Sequence, residues 1–170
     1  TPSPNTIPEP GGPVTFSIEV ENTAPESLTL TGLSDDVYGA LAGQGDCALP
    51  QTIAPGASYS CSFDGPVTGD AGDVREDIVT ATASDDEGNT LTDDDPARVR
   101  ITDVPPAISV TKTPSPASLP EPGGDVDFTF TVTNDSTVDD LTIESLTDTD
   151  FGLTGDPDCQ VGTVLAVGET

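Results

Sequence analysis

One repeated phrase constrains the fold of this chain more than any other feature. The opening residues TPSPNTIPEPGG return as TPSPASLPEPGG at Thr113–Gly124, with nine of the twelve positions identical. The match continues, because VTFSIEVEN at Val14–Asn22 aligns with VDFTFTVTN at Val126–Asn134. Both pairs of segments lie 112 positions apart. Internal repetition on this scale predicts an array of one structural unit rather than a single large domain.

The repeat also predicts the domain boundaries. LTLTGLSDDVYG aligns with LTIESLTDTDFG after a shift of one residue, and Cys47 then aligns with Cys159 at the original offset. A unit of this length is a normal size for a domain with its own core. We therefore predict one repeat over 1–107, without its first strand, and the truncated N-terminal part of a second repeat over 108–170. Such a chain resembles a window cut from a longer array.

Alternation of apolar and polar residues predicts β-strands in both repeats. In VTFSIEVE the apolar residues alternate from Val14 to Val20, and the equivalent stretch of the second repeat keeps this pattern. SYSCSF, VTATAS and ARVRIT alternate in the same way, while PEPGG, APGAS and DDEGN between them indicate turns. Six or seven short strands per repeat are typical of an Ig-like β-sandwich. The expected fold class is all-β: tandem Ig-like β-sandwich repeats in an extended rod, joined by a stiff linker at Pro105–Pro106.

The charge balance excludes several classes of partner. The chain has 31 acidic residues against 4 basic ones, a formal net charge of −27. Nucleic acids and anionic membranes attract positive surfaces, so we expect neither as a partner. The chain has no apolar run long enough to insert in a membrane. It also has no His, and the acid pair Asp35–Asp36 has no aromatic platform beside it, so we expect no enzyme.

The repeat accounts for the odd number of cysteines. Cys47 and Cys61 lie in the same repeat, whereas the equivalent partner of Cys159 would fall beyond Thr170. We therefore predict a disulfide between Cys47 and Cys61, with two buried free thiols as the alternative. Disulfides persist in oxidising compartments, so this prediction favours an extracellular or cell-surface location.

Longer motifs carry a family resemblance. The phrase TPSP followed by PEPGG, and then DDVYG, PQTIAPG, SYSC and SDDEGN, resembles the DUF11-type conserved repeat domain. These are Ig-like repeats of bacterial cell-surface and extracellular proteins, and the resemblance covers the whole chain. It implies a repeat of an extracellular stalk, adhesin or fibre, and it transfers no catalytic residues. A fold analogy alone does not assign a function.

Acidic side chains gather in the predicted turns, and calcium prefers carboxylate and carbonyl oxygens. Alternate turns of an Ig-like sandwich lie at the same end, which predicts that acids from several turns meet beside the linker. The candidate calcium ligands are Glu9, Asp35, Asp36 and Asp103, with Asp148 and Asp150 in the second repeat. Calcium bound there would stiffen the joint between repeats. The alternative is a set of solvated acidic loops that bind no metal.

The only lysine of the chain, Lys112, directly precedes the second copy of the repeated phrase. It shares a strand face with Ile108 and Val110, and we expect that face to point inward. An amide bond to an Asn or Asp is one interpretation of such a lysine. We favour the other, in which the stem covers the core while the ammonium reaches an acid.

These features together predict a structural protein. We expect tandem Ig-like sandwiches in an extracellular microbial stalk or filament, with neighbouring repeats of the same chain and other copies in a fibre as partners. An adhesin module that binds carbohydrate or protein is the alternative. Binding modules usually present an aromatic cluster or an apolar patch. The 2 Tyr and 5 Phe of this chain fall mostly at core-facing positions, which favours the structural role.

Overall fold

The computed structural model describes residues 1–153 and 159–170. Strands and turns make up this part of the chain, so the fold is all-β as expected. None of the described residues belongs to a helix that could cross a lipid bilayer. The chain forms two compact units, unit 1 at Thr1–Asp103 and unit 2 at Val104–Thr170. The division falls shortly before the boundary at 107 that the repeat predicts.

Unit 1 is built from two sheets that face each other. Its strands are β1 (Pro2–Ser3), β2 (Thr6–Pro8), β3 (Gly11–Glu21), β4 (Leu28–Asp35), β5 (Gly39–Ala40), β6 (Gln51–Ile53), β7 (Ser58–Thr68), β8 (Val74–Ser84) and β9 (Thr90–Thr102). One sheet has the order β1-β3-β7. The other has the order β2-β9-β8-β4-β5, with β6 also paired to β4. The pairing of β2 with β9 is parallel, and the others are antiparallel.

The inward faces of the two sheets share one apolar core. Burial alternates along β3, where the side chains of Val14, Phe16 and Ile18 are buried between exposed or half-buried neighbours. This is the period of two that the sequence predicts. The opposite sheet contributes core residues from β4 and β9, among them Leu30 and Val99. Two sheets packed across one core make unit 1 a β-sandwich.

An aromatic cluster lies within this core. The ring centroids of Phe16, Phe63 and Tyr38 are each 5.3 Å from one another. Gly65 of β7 lies beneath the Tyr38 ring, and a Cβ added there would approach that ring to 2.6 Å. The missing side chain of Gly65 therefore allows Tyr38 to pack against the sheet.

Unit 2 contains β10 (Ile108–Ser115), β11 (Asp127–Asn134), β12 (Leu141–Thr142) and β13 (Val164–Leu165) in its described residues. They form two antiparallel pairs, β10 with β11 and β12 with β13. Ile108 and Val110 are 57% and 55% exposed, contrary to the expectation that they point inward. The reason is that the short sheets in the described part of unit 2 leave these side chains uncovered.

A buried asparagine joins two loops at one end of β3. Asn22 is 2% exposed. Its Nδ2 donates hydrogen bonds to the carbonyl oxygens of Glu26 and Ile53, both at 2.8 Å. Its Oδ1 accepts a hydrogen bond from the Ala24 amide at 2.9 Å. Because every polar atom of this buried amide group has a partner, its burial carries no desolvation penalty from an unpaired group.

The same set of contacts recurs in unit 2. Asn134 lies 112 residues after Asn22 and is 0% exposed. Its Nδ2 donates to the carbonyl oxygens of Asp139 at 2.9 Å and Leu165 at 3.0 Å. Its Oδ1 accepts from the Ser136 amide at 2.9 Å. Leu165 is the residue that the sequence repeat aligns with Ile53, so the two units form the same contact at equivalent positions.

Candidate functional site

The predicted disulfide is confirmed. Cys47 and Cys61 are bonded, and their Cα atoms lie 4.9 Å apart. Cys61 belongs to β7, so the bond attaches the loop that precedes β6 to an edge strand of the three-stranded sheet. Both residues are buried in the core. Cys159, in unit 2, is a half-buried free thiol.

Two of the predicted calcium ligands lie at the end of unit 1 where β9 ends. The Glu9 side chain is 8% exposed, and its Oε2 accepts a hydrogen bond from the Ala71 amide at 2.9 Å. The Glu9 amide donates to the carbonyl oxygen of Thr102 at 3.0 Å. Asp103 follows Thr102 and is exposed. Glu9 and Asp103 are thus placed at the same end of the sandwich, as the turn count predicts.

Asp35 and Asp36 lie elsewhere in unit 1. Asp35, the last residue of β4, is 6% exposed and pairs with Val79 in the register with β8. The exposed Asp36 accepts a hydrogen bond from the Ile78 amide at 2.7 Å. Val79 is five residues along β8 from Val74, where that strand begins, which corresponds to roughly 17 Å along an extended strand. The structure therefore does not bring Asp35 and Asp36 to the end at which Glu9 lies.

One other group of acids has the spacing of metal ligands. Within residues 1–153 and 159–170, Glu26, Asp85 and Glu87 offer carboxylate oxygens that lie within 4.8 Å of one another. None of these residues is among the six predicted ligands. Both carboxylate oxygens of Asp85 already accept hydrogen bonds from Asn89, each at 2.7 Å. The group is largely exposed, and proximity alone does not distinguish a metal site from a solvated acidic turn.

The most distinctive site is a pair of inward-facing carboxyl groups, Asp35 and Asp77. Asp77 lies on the core face of β8 and is 7% exposed. Burial, followed by the charge of Asp35 and a hydrogen bond to it, raises the pKa of Asp77 to about 6. The nearby Tyr38 phenol also has a raised pKa, because of burial and the charges of Asp77 and Asp35. The Asp77 carboxyl group therefore holds its proton far more readily than an ordinary aspartate does.

The sequence pattern predicts a turn at Asp35, and Asp77 is not among the predicted site residues. The sequence pattern nevertheless includes Asp77. Val79, Ala81 and Ala83 occupy every second position on the inward face of the strand, and the same period of two, continued backward, reaches Asp77. An acid at a core-facing strand position is unusual, since burial penalises a charged carboxylate. Continuing the alternation through VREDIVTATAS therefore marks Asp77 as a functional candidate.

The carboxyl pair lines a cleft between the two sheets of unit 1. The cleft has a volume of about 570 Å³. Its apolar lining comes from both sheets, with Phe16, Ile18 and Phe63 on one side and Val79 and Ala97 on the other. Thr1 also lines it. The cleft is large enough for a long side chain, and its polar groups include two carboxyl groups that are hydrogen-bonded to each other.

In unit 2, the repeat aligns Asp148 with Asp35, and Asp148 binds Lys112. Lys112 Nζ forms an ion pair with Asp148 Oδ2, so the ammonium reaches an acid as expected. The Asp148 side chain is 7% exposed. The hydrogen bond from Lys112 holds the pKa of Asp148 below its usual value. Asp150 contributes only its backbone amide to this arrangement, which donates to Asp148 Oδ1 at 3.0 Å.

Three aromatic rings surround this ammonium. Lys112 Nζ lies 4.4 Å from the centroid of the Phe128 ring, 5.0 Å from that of Phe151 and 5.5 Å from that of Phe130. These distances are within the range of cation–π attraction. The rings also shield the Lys112–Asp148 contact from water on the side that they occupy.

The protonation of Asp77 should be measurable as a pH-dependent stability. A carboxyl group whose folded pKa is raised stabilises the fold below its unfolded pKa and destabilises it above its folded pKa. Stability should therefore fall as the pH rises from about 4 to about 6 through this group. Asp77→Asn is expected to raise the free energy of unfolding by about 1–2 kcal/mol near pH 8 and to change it little near pH 4.

Urea denaturation of both proteins across this pH range tests the prediction. The matched control is Asp70→Asn, which removes one exposed negative charge from the same unit. The change in stability caused by Asp70→Asn measures how much the removal of any one negative charge stabilises the fold. Equal stabilisation by the two substitutions at every pH would show that Asp77 is an ordinary acid.

Known proteins provide a further comparison for the disulfide, the carboxyl pair and the two equivalent asparagines. No protein-family model, curated protein or solved structure matches the chain.

Proposed function

We propose that this chain is part of a tandem array of Ig-like β-sandwich repeats in an extracellular stalk or filament of a microbial surface. The observation that carries the proposal is the pair of buried asparagines, Asn22 and Asn134. Each donates to two carbonyl oxygens and accepts from the amide two residues later. Buried polar contacts of this kind specify loop conformation, so their recurrence indicates one fold encoded twice. Tandem domains joined end to end are suited to spanning distance.

The distribution of apolar residues supports a structural role over ligand recognition. Phe16, Phe63 and Tyr38 pack against one another in unit 1 rather than forming an exposed aromatic platform. The exposed large apolar residues of unit 1, Val37 and Val74 among them, are aliphatic. Binding sites usually concentrate exposed aromatic or apolar surface in one patch. The cleft beside Asp35 and Asp77 is the observation that favours the adhesin alternative, in which a ligand would occupy it.

The disulfide and the charge support an extracellular location. A buried disulfide between Cys47 and Cys61 is stable in an oxidising compartment. A formal net charge of −27 keeps a protein soluble and opposes random association between copies. Immunogold labelling of cells that express the protein tests the location. Labelled fibres at the cell surface are expected, and label confined to the cell interior would contradict the proposal.

Calcium is the second part of the proposal, and it rests on charge. Carboxylates such as Asp35 and Asp36 supply the oxygen ligands that calcium prefers, and the net charge favours any cation. Calcium that binds only the folded state should stabilise it by about 2.7 kcal/mol at a hundredfold excess over the dissociation constant. The protein is therefore expected to melt at a higher temperature in calcium than in chelator, and magnesium should have a smaller effect.

Two double variants identify the residues responsible. Asp35→Asn with Asp36→Asn should abolish the calcium-dependent difference in melting temperature if the predicted ligands bind the ion. Asp85→Asn with Glu87→Gln is the matched control, because it removes the same charge from the other acidic group. Loss of the effect only in the control would move the site to Glu26, Asp85 and Glu87. Equal melting temperatures in calcium and in chelator would remove calcium from the proposal.

A further inference from the structure

One edge of β3 is only partly covered by a neighbouring strand. β7 pairs with the other edge along the whole length of β3. On the partly covered edge, the pairing with β1 ends where the backbone of Thr1 contacts that of Ser17. Every second residue of an antiparallel strand directs its backbone groups to the same edge, so Glu19 and Glu21 follow Ser17. Within the described residues, no strand pairs with Glu19 and Glu21 on this edge, which is therefore open to a further strand.

An apolar groove lies beside this open edge. It has a volume of about 520 Å³, and both sheets of unit 1 line it. Its apolar lining includes Ile18 and Val20 of β3, Leu30 of β4, Ala83 of β8 and Leu91 of β9. Side chains of a strand alternate between its two faces, so a strand added to the open edge would direct every second side chain into the groove. Apolar residues at those positions fit the lining.

The rim of the groove is acidic. Five carboxylate residues belong to its lining: Glu19, Glu21, Asp93, Asp94 and Asp95. No lysine or arginine is among the described residues that line the groove. Like charges brought together across an interface repel, whereas opposite charges attract. The groove therefore selects a strand that has no acidic residues and carries a positive charge.

β10 has the composition that this groove selects. Residues 107–120 contain no Asp or Glu, and they include Lys112, the only lysine of the chain. Ile108 and Val110 share one face of β10 and are 57% and 55% exposed. Within the described residues β10 pairs with β11 alone, so unit 2 leaves these two side chains largely in water. Exposed apolar residues on an edge strand favour pairing with another chain.

The repeat supplies the register in which β10 fits the open edge. In unit 2, Val110 of β10 lies opposite Val132 of β11. The residue 112 positions before Val132 is Val20 of β3, which lines the groove. A segment with the sequence of Ala107–Lys112, paired with β3 in this register, places Val110 opposite Val20. The segment then ends where Thr1 already contacts β3, so it fills the open part of the edge and no more.

A chain cannot supply this strand to its own groove. Thr102, at the end of β9, is hydrogen-bonded to Glu9, two residues before β3 begins at Gly11. In the register above, Ile108 lies opposite Asn22, which is roughly 36 Å from Gly11 along an extended strand. The chain from Thr102 to Ile108 spans at most about 21 Å when fully extended. The donor of the strand is therefore a second copy of the chain.

We propose that copies of this chain join by strand exchange, in which β10 of one copy leaves β11 and pairs with the open edge of β3 in the next copy. One strand pairing replaces another, so the backbone hydrogen bonds balance, and the acidic rim takes the place of Asp148 beside Lys112. The gain is the burial of Ile108 and Val110 in the groove. Each copy offers one donor strand and one groove, so the contact is head-to-tail and open-ended. The proposal goes beyond the tandem array, because it joins separate chains.

A disulfide trap in the whole chain tests the register. One chain carries Val20→Cys and another carries Val110→Cys, both with Cys159→Ala to remove the native free thiol. Facing residues of an antiparallel pair are close enough for a disulfide. Mixing the two chains under mild oxidation is expected to give a covalent dimer, and fragment mass spectrometry should join the two introduced thiols. Ser109→Cys replaces Val110→Cys in the matched control and should give no dimer, because Ser109 faces the other side of β10.

Sedimentation of the unaltered chain provides the second measurement. Dimers and longer assemblies are expected to grow with protein concentration, and a synthetic peptide with the sequence of Ala107–Lys112 should shorten them by occupying the groove. Val110→Ser should raise the dissociation constant by about tenfold, because it removes an aliphatic side chain from the interface. Val164→Ser is the matched control, since Val164 is 57% exposed but lies on β13, and it should leave the assembly unchanged. Circular dichroism reports whether each variant has folded.

Three results would overturn the proposal. The first is a folded chain that sediments as a monomer at every concentration. The second is a trap that forms equally with Ser109→Cys, which would mean contact without this register. The third is assembly that Val110→Ser and Val164→Ser weaken alike, which would place the contact on another surface. None of these results affects the array proposal, because that proposal rests on Asn22 and Asn134.

Discussion

Replacing Cys47 and Cys61 together by alanine is expected to lower the free energy of unfolding by about 3 kcal/mol. The two cysteines are 14 residues apart in the sequence. In the chain-entropy model, a cross-link of this length lowers the entropy of the unfolded chain, and this accounts for the expected loss of about 3 kcal/mol. The variant should still fold, because the apolar residues of both sheets remain. Urea denaturation followed by circular dichroism measures the difference.

Cys159→Ala is the matched control for this experiment. Cys159 is a free thiol in unit 2, so its removal should leave the unfolding of unit 1 unchanged. Reduction of the unaltered protein should lower stability by nearly the amount seen in the double variant. Mass spectrometry that finds both Cys47 and Cys61 as free thiols in native material would disprove the pairing.

Asn22→Ala should cost a comparable amount, about 3 kcal/mol. The substitution removes three hydrogen bonds and leaves the carbonyl oxygens of Glu26 and Ile53 and the Ala24 amide without their partner. All three bonds are made by the side chain of a residue that is 2% exposed, so water replaces them poorly. Thermal and urea denaturation should both report the loss.

Two further variants show whether the effect belongs to the buried contacts. Asn5→Ala changes an exposed asparagine of the same unit and should alter stability by less than about 0.5 kcal/mol. Asn134→Ala removes the equivalent contacts and should destabilise unit 2 without affecting the unfolding of unit 1. A small cost for Asn22→Ala would mean that the recurring contacts do not specify the fold, and the array proposal would lose its main support.

Much of the fold could be predicted from the sequence. A strand pattern is visible within one short segment, and a repeat is visible when the sequence is aligned with itself. Alternation from Val14 to Val20 predicted a half-buried strand, and β3 has that burial pattern. The pairing of Cys47 with Cys61 followed from the alignment of Cys47 with Cys159. Neither inference required knowledge of which strands become neighbours, since a period of two is visible within one strand.

The Asp35–Asp77 pair was decided by the tertiary structure. These residues are 42 positions apart, and they meet because β4 pairs with β8 in a register that places Asp35 opposite Val79. Only that register brings both side chains onto the core face, where burial and mutual repulsion raise the pKa of Asp77. The tertiary structure also decided that Glu9 and Asp35 lie apart. A count of turns predicts at which end of the sandwich a residue lies, but it does not predict how far along its strand that residue is. Sequence periodicity determined which residues face inward, and strand pairing determined which of them touch.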